Sequence, residues 1–260
     1  MTERISDEQI QEVFELIKGS DSVELKATIL DSDISSTVRK LNLDPLEAQI
    51  RQVVFFDLPD LSLSESGVVV RARRIQGGGG DSVIKLRPIN PQALSPEFRK
   101  SESLKVEVDM MPGGFVCSAS MKGKTSAAAV REVFNGGRAI RDLFSKEQRE
   151  FYHTYGPKET KLNDLTILGP ITLLKLEFVT EDMDREFVAE YWLFPDGSRI
   201  LELSTKCTPS DVFQVSTECR IYLRQRGIDI TGEQQSKTAK ALRYFSSLLS
   251  ASKAEEASKE

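Results

Sequence analysis

The sequence has little cysteine and less histidine: three of its 260 residues are Cys (Cys117, Cys207 and Cys219) and one is His, His153. An odd number of cysteines without C-x-x-C spacing excludes a disulfide framework and a zinc finger. Because there is a single histidine, any His-dependent catalytic triad would have to use His153. This residue lies near the expected end of a helix, where packing or the helix dipole explains it more simply than catalysis does.

Long hydrophobic runs are absent as well. No stretch approaches about 18 uninterrupted apolar residues, and the polar start MTERISDEQIQEVFE lacks the hydrophobic segment of a signal peptide. The chain is therefore expected to be soluble and cytoplasmic, with no membrane partner.

Neither sign of charge is in large excess, since 35 Lys and Arg stand against 40 Asp and Glu and give a net charge of −5. This balance argues against nucleic acid as a partner but leaves room for a local basic site. With 39% hydrophobic and 29% charged residues, the chain can bury a core, which excludes wholesale disorder.

Changes in hydrophobic period divide the chain into helices and strands. Apolar residues at helical spacing predict three helical regions: 6–18, 126–155 and 232–250. Alternating apolar and polar residues predict eight strands, mostly antiparallel neighbours: 22–30, 51–57, 67–75, 82–88, 103–111, 171–180, 186–194 and 199–206. No linker separates two domains, so residues 1–250 are expected to form a single α+β domain, followed by a disordered tail over 251–260.

The predicted strands carry their charges on one face. Alternate residues of a strand face opposite sides, so Glu24 and Lys26 share one face and Val23 and Leu25 the other. An antiparallel sheet with one wet face would explain any single strand of this kind. Seven strands repeat the pattern, with eight cations and six acids on the polar face: Lys26, Arg71, Arg73, Lys85, Arg87, Lys105, Lys175, Lys206, Glu24, Glu107, Asp109, Glu177, Glu190 and Glu202.

Two like-charge pairs on this face indicate a ligand. Arg71 with Arg73, and Lys85 with Arg87, lie roughly 7 Å apart and repel each other unless an anion lies between them. Arg and Lys bind phosphate oxygens, whereas carboxylates bind Mg²⁺ or Mn²⁺. The face therefore suits a polyanion bound with a divalent metal. If the strands close into a barrel, this face lines a tunnel and the helices cover the apolar outside.

An ordered series of short motifs lies on these strands. It begins with V-E-L-K (23–26) and F-F-D-L-P-D-L-S-L (55–63), and it continues with R-A-R (71–73), K-L-R (85–87), E-V-D (107–109) and A-E-Y-W-L-F-P-D-G-S-R-I-L-E-L-S-T-K (189–206). The series resembles the CYTH domain of the triphosphate tunnel metalloenzymes. This superfamily includes class IV adenylate cyclases, thiamine triphosphatases and inorganic triphosphatases.

The resemblance implies a closed, eight-stranded antiparallel β-barrel with a charged interior and an apolar exterior covered by helices. It implies hydrolysis of a triphosphate, whether inorganic, nucleoside or thiamine triphosphate, with Mg²⁺ or Mn²⁺ as cofactor. The substrate-binding residues would be Lys26, Arg71, Arg73, Lys85 and Arg87, joined by Lys175 and Lys206 from the same charged face. The metal ligands would be Glu24 and Glu202, with Glu190 and Glu107 as further ones.

The sequence departs from the family pattern at two positions. Ser22 stands where the E-x-E-x-K signature has its first glutamate, and Ser204 stands where the last strand often has a second carboxylate. Loss of two metal ligands leaves enzyme status open. The alternatives are an adenylate cyclase and a non-catalytic protein that binds triphosphate, polyphosphate or nucleotide. Trp192 would either fill one mouth of the barrel or stack on a base.

Overall fold

The computed structural model describes residues 7–180, 182–232, 234 and 236–257. Within this part of the chain, nine strands form one closed β-barrel. They are β1 (Ser22–Ile29), β2 (Gln49–Asp57), β3 (Val68–Ile75), β4 (Gly79–Leu86), β5 (Leu104–Met111), β6 (Gly114–Ser126), β7 (Thr166–Thr180), β8 (Arg185–Leu193) and β9 (Arg199–Cys207). The α-helices are α1 (Asp7–Lys18), α2 (Ile34–Lys40), α3 (Ser62–Glu65), α4 (Pro96–Arg99), α5 (Ala127–Phe134), α6 (Lys146–Tyr155), α7 (Val212–Gln225) and α8 (Lys237–Ala257).

The barrel is mixed, and it has nine strands in the described residues, so the prediction of eight antiparallel strands was wrong. The order around the barrel is β1-β5-β6-β4-β3-β2-β7-β8-β9. Neighbouring strands are antiparallel except β1 and β5, which pair in parallel with Ser22 opposite Glu107 and Leu25 opposite Met110. In a closed ring with an odd number of strands, directions cannot alternate all the way round, so at least one neighbouring pair must be parallel.

Strand β6 is the one that the sequence reading missed. Gly114, Ser118, Ser120 and Gly123 are weak strand formers, and they replace the β-branched residues that mark the other strands. The strand forms because β5 and β4 supply backbone hydrogen-bonding partners along both of its edges. Side chains alternate regularly along β6: Met121 packs in the outer core, and the next residue, Lys122, faces the interior of the barrel.

A buried glutamine ties α6 to two strands of the barrel. Gln148 forms a capping box with Ser145 at the start of α6. Its side-chain amide donates to the Ser82 carbonyl on β4 at 3.0 Å and to the Met121 carbonyl on β6 at 3.1 Å. A Cβ at position 123 would lie 2.3 Å from Gln148 Oε1, so a larger residue there would displace the Gln148 amide from these hydrogen bonds. This contact fixes the position of β6 against the outer helices.

The apolar outer face is covered by helices on one side of the barrel, as predicted. Ile17 of α1, Val130 of α5 and Phe151 of α6 are buried in one cluster with outward-facing strand residues such as Val70 and Ile84. Alternation along each strand thus places one face in this core and leaves the charged face inside the barrel.

Helix α8 lies elsewhere than predicted. Its apolar residues Ala241, Leu242 and Phe245 pack in one cluster with Val53 and Phe55 of β2. Those two strand residues lie opposite Arg73 and Arg71 in register, so they point into the barrel. Helix α8 therefore closes one end of the barrel instead of covering its outside.

The ends of the described chain differ slightly from the sequence prediction. Helix α8 continues to Ala257, beyond the point where the tail was predicted to begin, and 258–260 lie outside the described residues, as does residue 6 at the predicted start of α1. Helix α7 was not predicted, although Val212, Val215 and Cys219 are buried at helical spacing. In the described residues, no helix combines the length and hydrophobicity needed to cross a membrane.

Candidate functional site: a charged cavity inside the barrel

The barrel encloses a cavity of about 660 Å³. Its walls include every side chain that the sequence proposed for substrate or metal: Lys26, Arg71, Arg73, Lys85, Arg87, Lys175, Lys206, Glu24, Glu107, Glu190 and Glu202. The strands bring these residues together because they occupy inward-facing positions on neighbouring strands. Lys105, which shares the same predicted face, is exposed and does not line the cavity.

Four further cations line the cavity that sequence reasoning did not select: Arg51, Lys122, Lys237 and Arg243. Arg51 has the parity of inward-facing Val53 on β2, so alternation could have found it. Lys122 lies on the missed strand β6. Lys237 and Arg243 come from α8, and no pattern in that helix distinguishes them from surface residues.

The lining is strongly basic although the chain as a whole is acidic. Among the described residues, the lining contains eleven Lys and Arg and five Glu. Cations still outnumber acids eleven to eight when Asp81, Asp109 and Glu177, which pair with lining cations, are included. The fold therefore concentrates positive charge in a cavity between low-dielectric walls, which strengthen its attraction for an anion.

Asp109 organises the central part of this lining. Its side chain is 1% exposed and lies 2.6 Å from Arg87 Nη1, 3.2 Å from Lys26 Nζ and 3.9 Å from Lys85 Nζ. Burial alone would raise the pKa of this carboxyl, but the three cations outweigh burial and lower the pKa to about 2. Asp109 therefore stays ionised and holds the cations in place.

Two half-buried cations that face the cavity are only weakly neutralised. Burial lowers the pKa of Lys85 to about 7, since Asp109 offsets the burial only in part and Lys26 and Arg87 add repulsion. Burial and neighbouring Arg73 lower the pKa of Arg71 to about 10. Among the described residues, no acid lies within ion-pair distance of Arg71, and its Nε has no hydrogen-bond acceptor. An anionic ligand would supply both missing interactions.

The pair of Arg71 and Arg73 is less repulsive than the sequence suggested. Arg73 lies directly opposite Asp81 in the β3–β4 hairpin, and its Nη2 is 2.7 Å from Asp81 Oδ2. Asp81 thus neutralises Arg73 and leaves Arg71 as the unpaired member. Lys175 is paired in a similar way with Glu177, which is more than half exposed.

The four carboxylates predicted to bind metal are each paired with a lysine. Glu24 is 3.0 Å from Lys26, Glu107 bonds to Lys206, and both Glu190 and Glu202 bond to Lys237. Burial alone would raise the pKa of Glu190, but the Lys237 ammonium outweighs it and holds the pKa well below its usual range. Ser22, at the first position of the degenerate signature, lies 3.4 Å from Glu107.

These residues do not form a ready-made divalent-cation site. Among the residues that the structure describes, no three acidic, histidine or cysteine side chains converge on one point. Magnesium and manganese prefer several hard oxygen ligands, whereas each predicted ligand here already bonds to an ammonium group. The donor set therefore does not fit a resident metal ion in this arrangement.

Trp192 has the mouth-filling position that was one of its two predicted roles. It is 1% exposed, and its ring lies 6.4 Å from that of Phe55 between centroids. The indole Nε1 donates to Glu190 Oε2 at 3.3 Å. Trp192 thus connects the apolar end of the barrel, closed by α8, to the charged cavity.

Comparisons with known proteins identify the fold. No protein-family model and no curated protein matches the chain. A solved structure from Bacillus halodurans, described as a candidate adenylate cyclase, has 12% identity and a TM-score of 0.59, and the match covers 85% of this chain and 97% of that one. HpAC1 from Hippeastrum, a candidate adenylyl cyclase with a dominant triphosphatase activity, has 14% identity and a TM-score of 0.59 over 83% and 92% of the two chains. The chain thus has the fold of these proteins, which confirms the sequence resemblance at the level of the fold.

Proposed function

We propose that the protein binds the triphosphate group of a small molecule inside the barrel and hydrolyses it. The observation that carries the proposal is the excess of cations that line the cavity, among which Arg71 has no acidic partner within ion-pair distance in the described residues. A partly buried cation without a counter-ion is costly, and a polyanion in the cavity would neutralise it. Arg71 would contact phosphate oxygens, and Lys26, Lys85 and Arg87 would complete the cradle.

Hydrolysis is preferred over the alternatives because of the fold. HpAC1, which has the same fold, shows a dominant triphosphatase activity. An adenylate cyclase remains the second candidate, since both of the solved proteins compared above are described as candidate cyclases. A non-catalytic triphosphate binder is the third, because the carboxylates expected to bind metal are occupied by lysines.

The three functions differ in their products. The purified protein should be incubated with tripolyphosphate, ATP and thiamine triphosphate, in chelator and then with Mg²⁺ or Mn²⁺. A triphosphatase releases orthophosphate, whereas a cyclase releases pyrophosphate and a cyclic nucleotide from ATP. A binder releases neither, yet its melting temperature rises with ligand, because a ligand that binds the native state stabilises it.

Two variants locate the activity in the barrel. Arg71→Ala should abolish most ligand binding and turnover, whereas Arg131→Ala, on the exposed face of α5, should leave both unchanged. The absence of any product and of any thermal shift across millimolar tripolyphosphate, with and without metal, would refute the proposed function. Equal losses in both variants would show that the effect is not specific to the cavity.

A further inference from the structure

A lysine from α8 occupies the carboxylate pair at the closed end of the barrel. Glu190 on β8 and Glu202 on β9 lie directly opposite each other in register. Lys237 Nζ bonds to Glu190 Oε2 and lies 2.7 Å from Glu202 Oε1. The side chains of Lys237, Glu190 and Glu202 are 15%, 15% and 6% exposed, so the three charges are largely desolvated.

This arrangement is fixed by the packing of the helix. Two like charges directly opposite on neighbouring strands repel, so the pair requires a cation. Lys237 is the first residue of α8, and the helix is held one turn later by buried Ala241 and Leu242. The Lys237 ammonium also lies 5.4 Å from the centre of the Trp192 ring. The cation is therefore covalently tethered to an element that is itself packed into the barrel mouth.

We propose that Lys237 takes the place of a divalent cation at Glu190 and Glu202, so that the barrel binds triphosphate without a metal ion. The inference rests on the proposed function, since it concerns how the same cavity meets its charge requirement. An ammonium group has three donors, and Lys237 uses two of them on the glutamates while its side chain also lines the cavity.

A tethered cation has an advantage over a free one. A metal ion would have to displace Lys237, which cannot diffuse away and so remains at high effective concentration next to the two glutamates. The other predicted metal carboxylates offer no free alternative, because Glu24 is paired with Lys26 and Glu107 with Lys206. Binding of a divalent ion therefore competes with a lysine at each predicted ligand.

The first measurement is the affinity of the full-length protein for tripolyphosphate, determined by calorimetry in EDTA and again in Mg²⁺. The affinity measured in EDTA should lie within about twofold of the affinity measured in Mg²⁺, once the second value is corrected for the Mg²⁺ that tripolyphosphate itself binds. Binding that requires Mg²⁺ would overturn the inference and leave the proposed function standing. Failure to bind under either condition would instead overturn the proposed function.

The second measurement uses Lys237→Met, which preserves the length of the side chain and removes its charge. In EDTA its affinity for tripolyphosphate should fall at least about tenfold, because two buried glutamates lose their counter-ion beside the anion. Mn²⁺, titrated alone and followed by its paramagnetic resonance signal, should bind the variant and not the wild type. Lys240→Met, one turn further along α8 and outside the lining, is the matched control and should behave as wild type.

Two further variants keep the test decisive if Lys237→Met folds poorly. Lys237→Arg keeps the charge and should bind tripolyphosphate in EDTA. Lys237→Met combined with Glu190→Gln removes the like-charge repulsion, should fold by circular dichroism, and should not bind Mn²⁺. The inference would be overturned if folded Lys237→Met bound tripolyphosphate in EDTA as tightly as wild type and took up no Mn²⁺. It would also be overturned if wild type bound Mn²⁺ as tightly as the variant does.

Discussion

The protonation of Lys85 should make both stability and ligand binding depend on pH above neutrality. Burial lowers its pKa from 10.5 to about 7 in the ligand-free protein. Between about pH 7 and 10.5 the unfolded chain carries the Lys85 proton and the folded protein does not. Because the unfolded state binds more protons, the free energy of unfolding rises with pH in this window, by up to about 1.4 kcal/mol per pH unit from this residue alone.

A bound triphosphate should reverse this shift. The ligand favours the charged ammonium, so binding at pH 8.5 should take up close to one proton through Lys85, and affinity should fall up to about tenfold per pH unit above 7. Calorimetry in two buffers of different ionisation enthalpy counts the protons. Lys85→Met is the reference, because protonation of the ligand itself and of other groups contributes equally to both proteins.

Lys85→Met separates the protonation of Lys85 from all other titrations in the cavity. If wild type and Lys85→Met take up the same number of protons on binding at pH 8.5, Lys85 is not neutral in the free protein. If their free energies of unfolding also change in parallel from pH 7 to pH 9 in urea titrations, the burial argument for this lysine is wrong. A proton uptake that is lost only in Lys85→Met supports both parts of it.

Two further predictions concern the charges around the cavity. Arg71→Ala should weaken tripolyphosphate binding by about 1.5–3 kcal/mol without lowering the melting temperature. Arg73→Ala leaves Asp81 unpaired, so it should lose less affinity but about 1 kcal/mol of stability. Calorimetry and thermal melts measure both effects, and a larger loss of affinity in Arg73→Ala than in Arg71→Ala would contradict the prediction. Asp109→Asn should cost about 3–5 kcal/mol at pH 7, because Arg87 and Lys85 lose their acidic partner and Lys26 keeps only Glu24. Since the pKa of Asp109 is lowered to about 2, its contribution to the free energy of unfolding is complete above about pH 4 and is lost as the pH falls toward 2. In urea titrations the difference in stability between wild type and Asp109→Asn should therefore shrink over this range. A difference that stays constant with pH would contradict the prediction.

The sequence by itself determined which residues face the interior. Alternation along β1, β3 and β4 assigned Lys26, Arg71 and Lys85 to one face, and the structure places all of them in the cavity. This succeeds because side-chain direction in a strand is a local property with a period of two. Helices α1, α5 and α6 were found for the same kind of reason, since their apolar spacing is local.

Closure of the barrel was decided by tertiary structure. Strand β6 is poor in strand-forming residues and exists because two neighbours hydrogen-bond its edges, and its presence makes the number of strands odd and β1 parallel to β5. No local pattern encodes such pairing, because it depends on which segments meet in space. Arg73 and Asp81 were also brought opposite each other by the register of a hairpin.

The position of α8 is the clearest case of a tertiary decision. The sequence predicts this helix from its spacing but gives no sign that it closes the barrel or that Lys237 reaches Glu190 and Glu202, 47 and 35 residues earlier in the chain. Local periodicity specifies a helix, whereas its docking depends on the complementary shape of the barrel mouth around Phe55 and Trp192. The sequence thus determined the charged face, and only the folded chain determined which cation neutralises each carboxylate, because that depends on contacts between distant segments.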